Sequence, residues 1–138
     1  GCQLGTMFVC ASESIAHENF KNAFVKANSR DANASVQLDE NFPVIPVRAI
    51  DNKGTKEFLK FQREVINQFY KGELSKEDAQ LKIEHYWAGA LRRAVVDGDV
   101  ENGSLMAGQS VGLVKKIEPA KDIIMNLINS AEQFLGKL

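Results

Sequence analysis

The chain has 138 residues, a length typical of a single domain. Hydrophobic residues make up 44% of it and charged residues 25%, which indicates a folded globular protein and excludes a disordered tail. The formal net charge is -1, so the composition carries no electrostatic signature of binding to nucleic acid or to an anionic membrane surface.

The apolar runs and the two cysteines limit where in the cell the protein is expected and which metal sites it could form. No apolar run approaches the ~18 residues of a membrane span, and the start has no basic segment followed by an apolar stretch, as a secretory signal would. With only Cys2 and Cys10, neither a multi-disulfide framework nor a four-thiolate metal site can form from this chain alone. We therefore expect a cytoplasmic protein with no metal ligands and with neither a membrane nor a nucleic acid as partner.

The first predicted element is a buried strand. Met7–Cys10 is apolar without alternation, which is typical of a strand covered on both faces in a parallel sheet. One further run, Phe42–Val47, is a strand candidate, and its two prolines restrict it to a sheet edge or an irregular extended segment. Because a buried strand needs neighbours, we interpret the chain as a piece of something larger. The alternative is a tag remnant followed by a small α+β domain.

Five helices are predicted from apolar residues at helical spacing and from capping residues. A polar loop over 28–41 follows the first helix. The third helix has the clearest pattern, with Ser75 at its start and Gly98 where a left-handed C-terminal residue belongs. The predicted bounds are 12 or 14 to 27, 55–71, 75–98, 105–116 and 119–136.

Two segments depart from simple packing patterns, and the first is Gln3–Thr6. Its glycine allows a ligand to approach the backbone closely, and its threonine adds a hydroxyl beside an N–H, so together they could hold a phosphate. A bend at the end of a strand explains the same residues, and the shortness of the motif favours that plainer interpretation.

The second segment is Ser104–Gly112. Gly108 and Gly112 lie four residues apart in a predicted helix, where each interior glycine costs about 1 kcal/mol relative to alanine. Either another element packs very close to this bare stripe of backbone, or a flat ligand lies against the helix start with Gln109 as donor and acceptor. Without further context, close packing is favoured.

Four stretches of the sequence resemble the nitronate monooxygenase (2-nitropropane dioxygenase) family, which includes the flavin-dependent type II enoyl-acyl-carrier-protein reductases. The most specific is Tyr86–Gln109, in which Met-Ala-Gly-Gln follows Gly-Asp-Val. The others, in the same order as in the family, are Gln3–Thr6 with Phe8, Glu13–Lys21 and Pro46–Ile50. The resemblance spans essentially the whole chain.

The resemblance implies an α/β fold: a TIM (β/α)₈ barrel that binds FMN, with a small, mainly helical domain inserted after the last strand. In that mapping, residues 1–10 are the eighth barrel strand with the FMN phosphate motif, and residues 11–100 are the inserted domain. Residues 101–138 hold the final barrel helix and the C-terminal helix. The first seven strands have no counterpart here, because a complete barrel needs about 250 residues.

The same resemblance assigns the site residues. It implies FMN contacts for Gln3, Gly5 and Thr6, with Gly5 and Thr6 at the phosphate. It places Met106 and Gln109 near the flavin and the substrate pocket. No catalytic residue is expected in this chain, since neither of its two histidines matches the catalytic histidine of the family.

The function implied is that of the C-terminal part of an FMN-dependent oxidoreductase, inactive by itself, acting on an enoyl-acyl-carrier-protein thioester or a nitronate. NADH or NADPH would be the reductant in the reductases. The expected partners are the remaining N-terminal barrel portion, in the same or a separate chain, a small-molecule or acyl-carrier-protein-linked substrate, and a second copy in a homodimer. The alternative is a stand-alone helical interaction module, derived from the family, without flavin or catalysis.

Overall fold

The structure is a computed structural model that describes residues 4–36, 38–40, 42 and 47–136. This part of the chain is mostly helical, with one small two-stranded sheet. Single 3-10 turns cover Ser29–Asp31 and Gln109–Leu113. None of the described helices is both long and apolar enough to cross a membrane. In chain order the elements are α1 (Gly5–Val9), α2 (Glu18–Lys26), β1 (Ala32–Ala34), β2 (Arg48–Ile50), α3 (Lys53–Tyr70), α4 (Lys76–Val95) and α5 (Ala120–Leu135).

The two longest helices, α3 and α4, confirm the predictions made from periodicity, although α3 begins at Lys53, two residues before the predicted Thr55. Asn52 caps α3 by accepting a hydrogen bond from the Thr55 N–H at 2.9 Å. Ser75 caps α4 in the same way, accepting from the Asp78 N–H at 3.0 Å. Gly98, just beyond α4, has a φ of +73°, the left-handed conformation that favours glycine. Gly72, just beyond α3, has a φ of +75° as well, so local capping chemistry sets all four of these helix ends.

The helices α2 and α5 are also confirmed, with shifted starts. α2 begins at Glu18, later than predicted, because the Nδ1 atom of His17 caps it by accepting from the Asn19 N–H at 3.1 Å. α5 begins directly after Pro119, whose ring cannot donate to a preceding turn. The predicted loop over 28–41 contains the strand β1 and a 3-10 turn.

Two predictions were wrong. The expected strand at Met7–Cys10, and with it the eighth barrel strand over residues 5–9, is the short helix α1. The expected helix Leu105–Lys116 is an extended stretch followed by a 3-10 turn. Of the proline-rich segment, residues 43–46 lie outside the described residues, as does Gln3, and β2 begins only at Arg48.

The extended stretch Leu105–Ala107 pairs with β2 of the small sheet. This pairing explains why the stretch is not helical. β1 and β2 are antiparallel, with Ala32 opposite Ile50. The Ile50 N–H donates to the Leu105 carbonyl at 2.9 Å, and the Ala107 N–H donates to the Arg48 carbonyl at 3.1 Å. Pairing with β2 therefore satisfies backbone groups that a helix would otherwise have to satisfy.

Two apolar clusters form the core. The first lies between α2, the small sheet and the turn Gln109–Leu113, with Phe24 and Val111 fully buried. The second lies between α3 and α4, where the rings of Phe58 and Trp87 are 4.4 Å apart between centroids. Its buried members are Phe42, Phe58, Val65, Ile66, Ala79 and Ile83.

A buried lysine organises the segment between α1 and α2, residues 10–14, which we call the joint. The Lys21 side chain is only 6% exposed. Its Nζ donates to the carbonyls of Ala11 at 2.8 Å, Ser14 at 2.7 Å and Ser12 at 3.4 Å. An ammonium has three N–H donors, and burying it unpaired would be very costly. The three carbonyls therefore make the burial tolerable and fix the joint onto α2.

The opposite side of the joint holds the start of α5. The Ser12 N–H donates to the Glu118 carbonyl at 3.0 Å. The two carboxylate oxygens of Glu13 accept from the Ala120 N–H at 3.0 and 3.2 Å. A carboxylate at the first turn of a helix meets the positive end of the helix dipole. The joint therefore links α1, α2 and α5.

We expect Lys21→Met to lower the free energy of unfolding by about 2–3 kcal/mol, because the buried Ala11 carbonyl and the half-buried Ser14 carbonyl lose charge-assisted hydrogen bonds. The measurement is urea denaturation followed by circular dichroism. Lys26→Met, at the exposed end of the same helix, is the matched control and should change stability by less than about 0.5 kcal/mol. Equal losses in the two variants would contradict the role given to Lys21.

A pH dependence is expected at Glu13. Its pKa is lowered, first by the hydrogen bond from the Ala120 N–H, then by its own N–H and the Ser12 hydroxyl. A lowered pKa means that the ionised group stabilises the fold above the unfolded-state value of about 4.3, and that this contribution disappears as the pH falls through the folded-state value. The stability difference between wild type and Glu13→Gln should therefore be constant near neutral pH and shrink in acid. In unfolding curves taken across pH, a matched Glu84→Gln variant should show a smaller change, and an acid-independent Glu13→Gln difference would refute the assignment.

Candidate functional site

The structure brings together the two segments that stood out in the sequence. The Thr6 Oγ1 accepts a hydrogen bond from the Gly108 N–H at 2.9 Å, between residues 102 positions apart in the chain. α1 also packs against the turn Gln109–Leu113. We call Gly5, Thr6 and residues 106–109 together the candidate site.

Gly5 gives the candidate site an open backbone. No heavy atom of the described residues lies within 4 Å of the position that a Cβ would take on Gly5. The N–H groups of Gly5 and Thr6 belong to the first turn of α1, where no intrahelical acceptor is available. Among the described residues neither N–H has a hydrogen-bond acceptor, so a ligand can approach this backbone closely and meet both donors.

Met106 and Gln109 are the first and last residues of the stretch 106–109 in the candidate site. Met106 is half-buried and forms an isolated antiparallel bridge with Ala49, so the small sheet fixes its position. Gln109 is exposed at the start of its 3-10 turn. Two residues before Met106, Ser104 is buried, and its hydroxyl has no hydrogen-bond partner among the described residues. The assignment of Met106 and Gln109 to a flavin stays a prediction.

The two glycines of the second segment have different surroundings. A Cβ on Gly112 would lie 2.7 Å from the backbone nitrogen of Ser29, which is too close for any side chain. A Cβ on Gly108 would lie 3.3 Å from the Thr6 Oγ1, a tight but less severe contact. Close packing therefore accounts for Gly112, although the packed elements are two turns and not two helices. Gly108 is needed where α1 approaches.

Neither histidine has a place in the candidate site. The ring of His17 packs over Gly98 and caps α2, which uses its Nδ1 atom as an acceptor. His85 is exposed on α4. Among the described residues, no group of three or more His, Cys, Asp or Glu side chains is placed to hold a metal ion.

Cys10, in the joint, is poorly suited to nucleophilic chemistry. Burial raises the pKa of its thiol to about 11, and the nearby charge of Lys21 only partly opposes that effect. Its Sγ donates to the Lys21 carbonyl at 3.7 Å. The thiol therefore stays protonated near neutral pH, when only the thiolate would be reactive.

A shallow groove of about 440 Å³ lies away from the candidate site. Sequence reasoning did not point to it, since its two basic and two acidic side chains come from four separate positions in the chain without a motif. None of the residues assigned to FMN lines it. The lining residues are Ala23, Lys26, Ala27, Arg30, Asp31, Asn33, Ile50 and Asp51.

Comparisons with known proteins identify relatives of the chain. The family model described as nitronate monooxygenase matches residues 1–130. The structure of FabK from Thermotoga maritima matches with a TM-score of 0.67 and 30% identity, over 96% of this chain and 38% of the FabK chain. A mutant of the same FabK matches with a TM-score of 0.66 and 29% identity, over 96% of this chain and 33% of that one. No curated protein matches significantly.

The chain spans about a third of the length of the FabK structures that it matches. It corresponds to a mostly helical third of a TIM-barrel protein and has only a small sheet of its own within the described residues. The family model extends over nearly all of the sequence, which confirms the resemblance first seen in its motifs. The chain belongs to the nitronate monooxygenase family.

Proposed function

We propose that the chain is the C-terminal part of an FMN-dependent oxidoreductase and supplies one edge of its flavin site. The observation that carries the proposal is the hydrogen bond between Thr6 and Gly108. It joins two distant segments, Gln3–Thr6 and Met106–Gln109, that the family resemblance assigns separately to the same cofactor.

The candidate site fits the phosphate end of FMN. Gly5 leaves room for close approach, and its N–H and that of Thr6 are neutral donors of the kind that cradle phosphates. The Thr6 hydroxyl accepts from Gly108 and keeps its own hydrogen available for a phosphate oxygen. Gly108 and Thr6 thereby hold one another in the orientation that presents these donors.

FMN would supply hydride or electron transfer, chemistry that amino-acid side chains lack. The part played by this chain is to bind and orient the cofactor. Catalytic side chains would come from the two thirds of the fold that this chain does not contain. The similarity to FabK, an enoyl-acyl-carrier-protein reductase II, favours an enoyl thioester as substrate and NADH or NADPH as reductant. A nitronate is the second substrate class, supported by the family name.

A chimera tests the proposal. The third of Thermotoga maritima FabK that this chain matches is replaced by this chain, and FMN binding to the purified chimera is measured by quenching of flavin fluorescence. We expect Gly5→Val to weaken FMN binding at least about tenfold, or about 1.4 kcal/mol, because the side chain fills the space for the phosphate. The same substitution should leave urea unfolding of the isolated chain unchanged, since no atom of the described residues occupies that space.

Gly89→Val is the matched control, because a Cβ on Gly89 also meets no heavy atom within 4 Å. It lies in α4, away from the candidate site, and should bind FMN as tightly as the parent chimera. Equal FMN affinity of the two variants would show that Gly5 is not at the cofactor. A folded chimera without flavin, beside a flavin-loaded FabK, would favour the stand-alone helical module instead.

A further inference from the structure

Asn52 uses both the oxygen and the nitrogen of its side-chain amide. Its Oδ1 atom accepts from the Thr55 N–H and thereby caps α3. Its Nδ2 atom donates to the Val100 carbonyl at 2.9 Å and to the Gly103 carbonyl at 2.8 Å. An amide nitrogen has two N–H donors, so both are used. Since the cap needs only the oxygen, the nitrogen serves a second purpose, which concerns a distant part of the chain.

The start of α3 holds residues 99–103, which we call the 99–103 loop. In addition to the two carbonyls that Asn52 binds, the Glu101 carbonyl accepts from the Gly54 N–H at 2.9 Å. A Cβ on Gly54 would lie 2.6 Å from the Asn102 carbonyl oxygen, so the backbone of the loop lies directly on the first turn of α3. Carbonyl oxygens meet the free N–H groups and the positive end of the helix dipole there. The position of the loop relative to α3 is therefore fixed.

The stretch that follows the loop, Leu105–Ala107, has few contacts of its own that determine its register on β2. Among the described residues, two backbone hydrogen bonds to β2 flank an isolated bridge between Met106 and Ala49. A shift of one residue along β2 would turn every side chain of this stretch to the opposite face. Met106 would then leave the candidate site, and Gly108 would no longer lie opposite Thr6. The candidate site therefore depends on this register.

Asn52 lies where it can set that register. The register that places Ala49 opposite Met106 also places Asn52 opposite Gly103, because the two segments run antiparallel. Asn52 has an extended backbone, with a φ of -150°, so it continues the direction of β2. Its hydrogen bond to the Gly103 carbonyl thus adds a third link to the pairing, just beyond the two backbone hydrogen bonds.

We propose that Asn52 is a positioning residue of the flavin site. By holding Gly103 it fixes the register of Leu105–Ala107 on β2, and this register places Met106 and Gly108 at the candidate site. The inference rests on the proposed function, because that function gives the candidate site its part in binding FMN. The register itself does not involve flavin and can be measured in the isolated chain.

Substitutions of Asn52 can separate the cap from the contact with the loop. Asp and Ser cap helices about as well as Asn. An ionised Asp has no donor, and Ser has a single hydroxyl on a shorter side chain, so neither can serve both carbonyls. Asn52→Asp and Asn52→Ser should therefore keep α3 and release the 99–103 loop. Ser75→Ala is the matched control, because it removes the cap of α4 and leaves the loop contacts intact.

The first measurement is amide hydrogen exchange in the isolated chain, followed by NMR under native conditions. In both Asn52 variants, protection of the Ala107 and Gly108 N–H groups should fall at least about tenfold more than protection of the Ile66 N–H within α3. Ser75→Ala should show no such difference. Asn52→Ser adds no charge beside the two carbonyls, so its result decides even where Asn52→Asp does not fold.

Two results of this measurement would overturn the proposal. Equal changes at Ala107, Gly108 and Ile66 in Asn52→Ser would leave Asn52 as a helix cap only. Loss of the whole fold in Asn52→Ser would show that the residue is needed for folding in general and not for one register.

The second measurement is FMN binding to the FabK chimera, by quenching of flavin fluorescence. Asn52→Ser should weaken FMN binding at least about tenfold, and Ser75→Ala should bind FMN as the parent chimera does. Flavin bound to the Asn52→Ser chimera should also have shifted visible absorption bands, because the surroundings that Met106 provides have changed. Equal affinity and equal spectra in the two variants would overturn the role of Asn52 at the flavin. A parent chimera without flavin would refute the proposed function, and hydrogen exchange would still decide whether Asn52 sets the register.

Discussion

The buried ammonium of Lys21 is the contact on which the arrangement of the other elements depends. On folding, this ammonium loses its hydrogen bonds to water and gains hydrogen bonds to three backbone carbonyls of the joint. Its burial is tolerable only if all three carbonyls stay in place. The joint follows α1 directly in the chain, and its Glu13 carboxylate holds the first turn of α5 by hydrogen bonds. Because α1 carries Gly5 and Thr6, Lys21 orients both the candidate site and the start of α5.

The long helices were predictable and the short elements were not. α3 and α4 each repeat an apolar face over several turns and begin at a capping residue, Asn52 or Ser75, so local chemistry determines them. α1 has five residues, and a short apolar run fits a strand as well as a helix. Leu105–Ala107 has residues compatible with a helix, but pairing with β2 decides its conformation, and that partner lies far away in the sequence.

The segments that form the candidate site could be predicted from the sequence, but the contact between them could not. The resemblance named Gln3, Gly5, Thr6, Met106 and Gln109, yet the contact between Thr6 and Gly108 links residues that no local rule connects. Lys21 was missed for a different reason. A lysine on an amphipathic helix is usually solvated, but Lys21 stands one turn before the buried Phe24 on the same face. That position was a signal of its burial.

The inference that the chain is a piece of something larger came from a strand that does not exist. What the comparisons show is that the chain matches about a third of the FabK fold. Both apolar clusters have fully buried members, although most of the aromatic rings of α3 and α4 are only partly buried. Five of the twelve exposed large apolar side chains among the described residues lie on α5, where Ile124, Ile128 and Leu135 continue a face that begins in the core. Within the described residues, α5 therefore packs onto the core along one edge only, through the buried Ile123 and the half-buried Leu127.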